Sequence, residues 1–114
     1  MAFKKIFAQL NCSDLSSSQG WYEKFFGRAP DACPMAGLAE WHQEDSGGLQ
    51  VFENKEHAGH GTLTLIVDGL RDEHTRLENV GLNPGDLEPA TSISIVRLRD
   101  PDGNLIVLAQ SGNP

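Results

Sequence analysis

Arg99-Asp100-Pro101-Asp102-Gly103-Asn104-Leu105-Ile106-Val107-Leu108 reads as the end of one strand, a tight turn and the start of the next strand. Pro101 presets φ at the second turn position and Gly103 takes the fourth, the pattern of a type I turn. Ser92 to Arg99 and Asn104 to Gln110 therefore form an antiparallel hairpin. Upstream of it lies a strand, Thr62 to Val67, then Asp68, an amphipathic stretch from Leu70 to Val80, and Gly81. Leu70, His74, Leu77 and Val80 recur at spacings of four, three and three, the stripe of a helix buried on one side. A weak strand candidate, Gly85 to Glu88, separates that helix from the hairpin.

The first half of the chain repeats this succession. Lys4 to Cys12 reads as a strand, Asp14 follows, and a helical segment with Leu15, Ser18, Tyr22, Phe25 and Phe26 on neighbouring faces ends at Gly27. Asp14 and Gly27 are 13 positions apart, as are Asp68 and Gly81, and the two units are offset by 54. Each Asp stands where an N-cap would accept the free N–H groups of the first turn, and each Gly where a helix ends in the left-handed region. Leu38 to Gln43 and Leu49 to Glu53 then flank the turn Glu44-Asp45-Ser46-Gly47-Gly48. The chain is thus expected to be α+β, one domain spanning 1–114, built from two βαβββ units at about 1–56 and 60–114.

Composition narrows the partners. The 114 residues are 39% hydrophobic and 22% charged, ordinary for a globular chain, and the formal net charge is −7. That balance argues against nucleic acid and against an anionic membrane surface, both of which reward Lys/Arg clusters. No apolar run approaches the ~20 residues of a membrane span, and the basic N-terminal segment lacks an apolar stretch of signal-peptide length. A cytoplasmic location is expected, with Cys12 and Cys33 as free thiols.

In order and spacing, four segments resemble the vicinal oxygen chelate superfamily of glyoxalases, extradiol dioxygenases and bleomycin-resistance proteins. They are Asp14-Leu15 running to Trp21-Tyr22-Glu23-Lys24-Phe25-Phe26-Gly27, Gly47-Gly48-Leu49-Gln50-Val51-Phe52-Glu53, Thr62 to Asp68, and the Asp-Pro-Asp-Gly hairpin. The resemblance covers nearly the whole chain. It implies two curved mixed sheets around an open cleft, helices on the convex side, and a homodimer that often completes the pocket across subunits.

The resemblance also implies four metal-ligand positions, normally His or Glu, one on each of four strands. Counted from the motifs, these are Phe7, Gln50, Thr62 and Val107. None is an imidazole or carboxylate, so no metal and no cofactor are expected. His57 and His60, in the Gly-rich loop Glu56 to Gly61, could clip an ion but lack further partners. Period-two alternation puts Leu49, Val51, Leu63, Leu65 and Val67 under the helices and leaves Gln50, Phe52, Thr62 and Thr64 on the other face. A ligand site is therefore expected from Phe7, Gln9, Trp41, Gln50, Phe52, Thr62, Thr64 and Val107, with His42 or Glu53 as a candidate acid or base. The function this supports is metal-free binding of a small organic ligand, the acidic charge and the aromatic residues favouring a cationic or aromatic one. The alternative is a glyoxalase-like lyase or isomerase, or a dioxygenase, with a non-standard site.

Overall fold

The computed structural model describes residues 2–114. β1 (Ile6–Cys12) leads into α1 (Leu15–Phe26), followed by β2 (Ala32–Met35), β3 (Leu38–His42) and β4 (Gly47–Glu53). The second unit contains β5 (Thr62–Ile66), α2 (Leu70–Asn79), β6 (Ile93–Arg99) and β7 (Leu105–Ser111). One sheet has the order β1-β4-β3-β2 and the other β5-β7-β6. β1 runs parallel to β4 and β5 parallel to β7, while the remaining pairs are antiparallel. Both sheets are mixed, and the helices pack against one face of them.

The expected strand at Gly85 to Glu88 is reduced to a bridge between Glu88 and Ile95, helped by a bond from Gly85 N–H to Arg97 O at 2.7 Å. Pro84 and Pro89 bracket this segment. Proline fixes φ and has no N–H to offer a ladder, so pairing stops within a few residues.

The helix starts also differ from expectation, and in the same way in both units. Asp14 stands at the N-cap of α1, but its carboxylate accepts from the Ser16 and Ser17 hydroxyls at 3.0 and 2.8 Å. The free N–H of Leu15 donates instead to Glu53 Oε1 at 2.9 Å. In α2 the N-cap residue is Gly69, one beyond Asp68, and Leu70 N–H donates to Gln110 Oε1 at 2.8 Å. Each helix start is thus capped from the end of the strand parallel to the one it follows, β4 or β7. An oxygen there meets both the unpaired N–H and the positive end of the helix dipole. The C-termini follow the sequence: Gly27 has φ 73°, and Gly81 has φ 80°. Around Gly81 the bonds Gly81 N–H to Glu78 O and Leu82 N–H to Leu77 O, both 3.0 Å, make a Schellman motif.

The helix-facing sides of both sheets contribute to one core. Leu10, Cys12, Ala39, Trp41, Leu49 and Val51 pack with Tyr22 and Phe25 of α1, in the same cluster as Val96, Leu98, Ile106 and Leu108 with Leu70 and Leu77 of α2. Trp41 and Phe26 stack at 5.4 Å, and Trp41 Nε1 donates to Arg28 O at 3.0 Å.

A polar clasp locks the two units together. Asp100 is 5% exposed, and its Oδ2 accepts from the Tyr22 hydroxyl at 2.6 Å and from Asn104 Nδ2 at 2.8 Å. Its Oδ1 accepts the N–H groups of Asp102 and Asn104 at 3.0 and 2.9 Å. Asn104 also donates to Asn11 O of β1 and accepts from Gly61 N–H, while Asp102 Oδ2 accepts Ser13 N–H. The β6–β7 turn is therefore tied to the hydroxyl of α1, the end of β1 and the start of β5.

Burial, followed by the neighbouring Asp100 carboxylate, pushes the Tyr22 phenol far above its ordinary range. Tyr22 is the only tyrosine in the chain. Its absorbance at 295 nm is expected to stay that of the phenol at pH 10–11, about where a free tyrosine ionises, until the protein unfolds. A folded-state pKa above the unfolded one means stability is held below about pH 10 and lost above it. Tyr22→Phe should reduce that alkaline slope while costing about 1–3 kcal/mol at neutral pH in urea unfolding, because it leaves a buried carboxylate short of a donor.

Candidate functional site

The face of the first sheet that α1 does not cover follows from strand alternation and register. Gln9 pairs with Gln50 and Phe7 with Gly48 across β1 and β4. Across β3 and β4, Glu40 pairs with Gln50, His42 with Gly48, and Leu38 with Phe52. Gly48 has φ 154°, and a Cβ there would sit 2.1 Å from Trp41 O, so no side chain is tolerated. The rings of Phe7 and His42 meet across that gap at 5.8 Å, edge to face.

An unbroken polar row crosses this face. Gln9 Nε2 donates to Gln50 Oε1 at 3.0 Å, and Gln50 Nε2 donates to Glu40 Oε2 at 2.7 Å. His42 Nε2 lies 2.9 Å from Glu40 Oε1. Glu40 is only 8% exposed, and the bonds from His42 and Gln50 hold its carboxyl below the ordinary glutamate range. Phe7 and Phe52, both half-buried, stand on the same face as the row.

The structure brings Phe7, Gln9, Gln50 and Phe52 together but places the other expected residues elsewhere. Thr62 and Thr64 lie on the uncovered face of the second sheet, where Thr64 pairs with Val107 and Val107 with Arg97. Trp41 points the opposite way from Glu40 and His42 and is 1% exposed in the core. Its indole belongs to the aromatic cluster with Tyr22 and Phe26. It also borders a groove of about 330 Å³ on the covered side, lined by Phe26, Leu49, Leu63, Leu65 and Arg28 among others. Glu53 is the cap of α1, which gives it a structural task in place of the acid or base role expected. His57 and His60 are exposed in their loop. His74 Nε2 lies 2.9 Å from Gly85 O, tying α2 to the segment after it. Glu40 was missed from sequence because its neighbours Leu38, Ala39 and Trp41 read as buried strand. The signal available was the period-two match of Glu40 with His42.

The four positions that the resemblance implies for a divalent ion do not fit one. Phe7 and Val107 offer no donor, Thr62 only a hydroxyl, and the Gln50 carbonyl oxygen already accepts from Gln9. Among the described residues no three His, Cys, Asp or Glu side chains gather as a metal would require.

No family model matches this chain, and neither does any curated protein. Solved structures do. A glyoxalase/bleomycin-resistance protein from Catenulispora acidiphila is 30% identical, with a TM-score of 0.86 over 94% of this chain and 97% of that one. The antibiotic-binding protein TnmS3 from a Streptomyces species shares the fold at 20% identity and a TM-score of 0.83, covering 98% of this chain and 99% of its own. A bleomycin-binding protein complexed with bleomycin does so at 21% and 0.75, covering 94% of this chain and 98% of its own. The chain belongs to the glyoxalase/bleomycin-resistance proteins of the vicinal oxygen chelate superfamily. No helix among the described residues is long and apolar enough to cross a membrane.

The polar row carries a pH consequence. A carboxyl held below its unfolded value adds stability that is full above about pH 4.3, the ordinary glutamate value, and is lost as pH falls below it. Thermal unfolding between pH 6 and 3 should therefore drop less steeply in Glu40→Gln than in the parent protein. Parallel curves would mean that Glu40 is not stabilised as the row requires.

Proposed function

We propose that this protein binds a small organic molecule without a metal, holding it against the uncovered face of the first sheet. The observation that carries this reading is the row Gln9–Gln50–Glu40–His42 between Phe7 and Phe52: hydrogen-bonding groups fixed by one another, beside aromatic surface. That combination of apolar wall and few placed polar groups is what small-molecule sites use. The names of two solved structures that share the fold, a bleomycin-binding protein and an antibiotic-binding protein, lend support. The unsuitable donor set at Phe7, Gln50, Thr62 and Val107 weighs against lyase or dioxygenase chemistry through a metal at those positions.

The same reading includes a homodimer. The uncovered face of the second sheet exposes Ile66 and Ile93 at 75% and 55%, beside Ile95 and Val107. Apolar side chains on an open sheet face favour a covering layer. A second copy laid over these faces would roof the ligand and recruit Thr62, Thr64 and Val107 to it.

Two measurements test this. Light scattering after gel filtration should give twice the chain mass, and a monomer at micromolar concentration counts against the shared pocket. A melting-temperature screen should find planar organic ligands that bind saturably in chelator-treated protein. Phe52→Ala should weaken such a ligand by about 1–3 kcal/mol, through lost apolar contact. Binding that needs added Ni, Zn or Mn would overturn the metal-free reading.

A further inference from the structure

The direction of every hydrogen bond in the row is fixed by chemistry. An ionised carboxylate only accepts, so the Gln50 atom facing Glu40 is its amide nitrogen and the His42 Nε2 facing it carries hydrogen. Gln50 therefore turns its carbonyl oxygen to Gln9, and Gln9 answers with its own amide nitrogen. Gln9 Oε1 and, in the neutral ring, His42 Nδ1 are left over at the two ends. Neither has a hydrogen-bond partner among the described residues. Both are acceptors.

Glu40 adds negative charge at the centre. The only titratable side chain bonded to it among the described residues is His42, which in its neutral form brings no counter-charge, and Lys5 is a weaker influence. Arg28 and Asp31 pair with each other at 3.0 Å and reach only the main chain of His42, so they leave the charge in place. A shielded carboxylate without a Lys or Arg is a poor choice for stability alone, where apolar residues pack at no desolvation cost. It suits a site whose missing counter-charge arrives with the ligand. The faces of the flanking Phe7 and Phe52 rings favour a cation over an anion.

We propose that the Gln9–Gln50–Glu40–His42 row is a specificity element for an organic cation bearing several N–H donors, of the amidinium, guanidinium or arylamine class. Gln9 Oε1 and His42 Nδ1 accept its N–H groups, and Glu40 supplies the opposing charge. This rests on the ligand-binding reading above and names its ligand class.

Benzamidine, benzyl alcohol and benzoate share one ring and differ in charge and donors, so they make the test. Calorimetric titration of the full chain should show saturable benzamidine binding, about tenfold tighter than benzyl alcohol, with benzoate weakest. Glu40→Gln should bring benzamidine close to benzyl alcohol, and Gln9→Leu should weaken benzamidine about threefold or more, and more than it weakens benzyl alcohol. Gln9 is exposed, so Gln9→Leu decides the matter alone if Glu40→Gln does not fold. Benzoate or benzyl alcohol binding as well as benzamidine overturns the cation preference and leaves the ligand-binding reading intact. So does benzamidine affinity indifferent to both substitutions. If none of the three compounds binds, and the wider screen of planar ligands is also blank, both readings fall together.

Discussion

The Asp100 carboxylate holds the two halves of this chain in one arrangement. It is nearly buried and takes four donors: the Tyr22 hydroxyl from α1, the Asn104 amide, and two main-chain N–H groups of its own turn. Without those donors a carboxylate in that place would carry a large desolvation penalty, so the clasp forms fully or is costly. Through Asn104 and Asp102 it reaches Asn11, Gly61 and Ser13, the points at which β1, β5 and the approach to α1 come together. Together with the shared apolar core, it ties the two units to one another.

The two uncovered faces divide the chemistry between them. The first sheet carries an anionic row flanked by aromatic rings. The second carries hydroxyls and aliphatic groups, with Arg97 and Arg99 along β6. The four positions that the resemblance implies for metal ligands hold an amide, a hydroxyl and two apolar side chains. The Gln50 amide bonds to both neighbours, so its geometry is locked into the sheet. Cross-strand hydrogen bonding engages both ends of the Gln50 amide.

Much of the fold was legible in the sequence. Local periodicity and turn chemistry depend on residues close together in the chain, which is why the Asp-Pro-Asp-Gly hairpin, both helices and their closing glycines fall where the residues indicate. The duplication was visible in spacing, although the caps come from Glu53 and Gln110: Asp14 holds the N-cap position without capping the helix, and Asp68 lies one residue before it. The Gly85 to Glu88 strand failed for a local reason, the prolines on either side. The site was less legible. Gln9, Gln50, Phe7 and Phe52 share a face as alternation requires, but Trp41 faces the core and Glu40, which sequence passed over, anchors the row.

The sequence by itself determined the element order and the side of each strand that packs under a helix. These depend on residue type and on spacing within one element. Tertiary structure alone decided that Glu40 bonds to Gln50, that Glu53 caps a helix, and that Asp100 meets Tyr22. Each is a contact between different elements, 10, 38 and 78 positions apart in the chain. The energy of such a contact depends on burial and on the number of donors around a carboxylate, which no local pattern encodes.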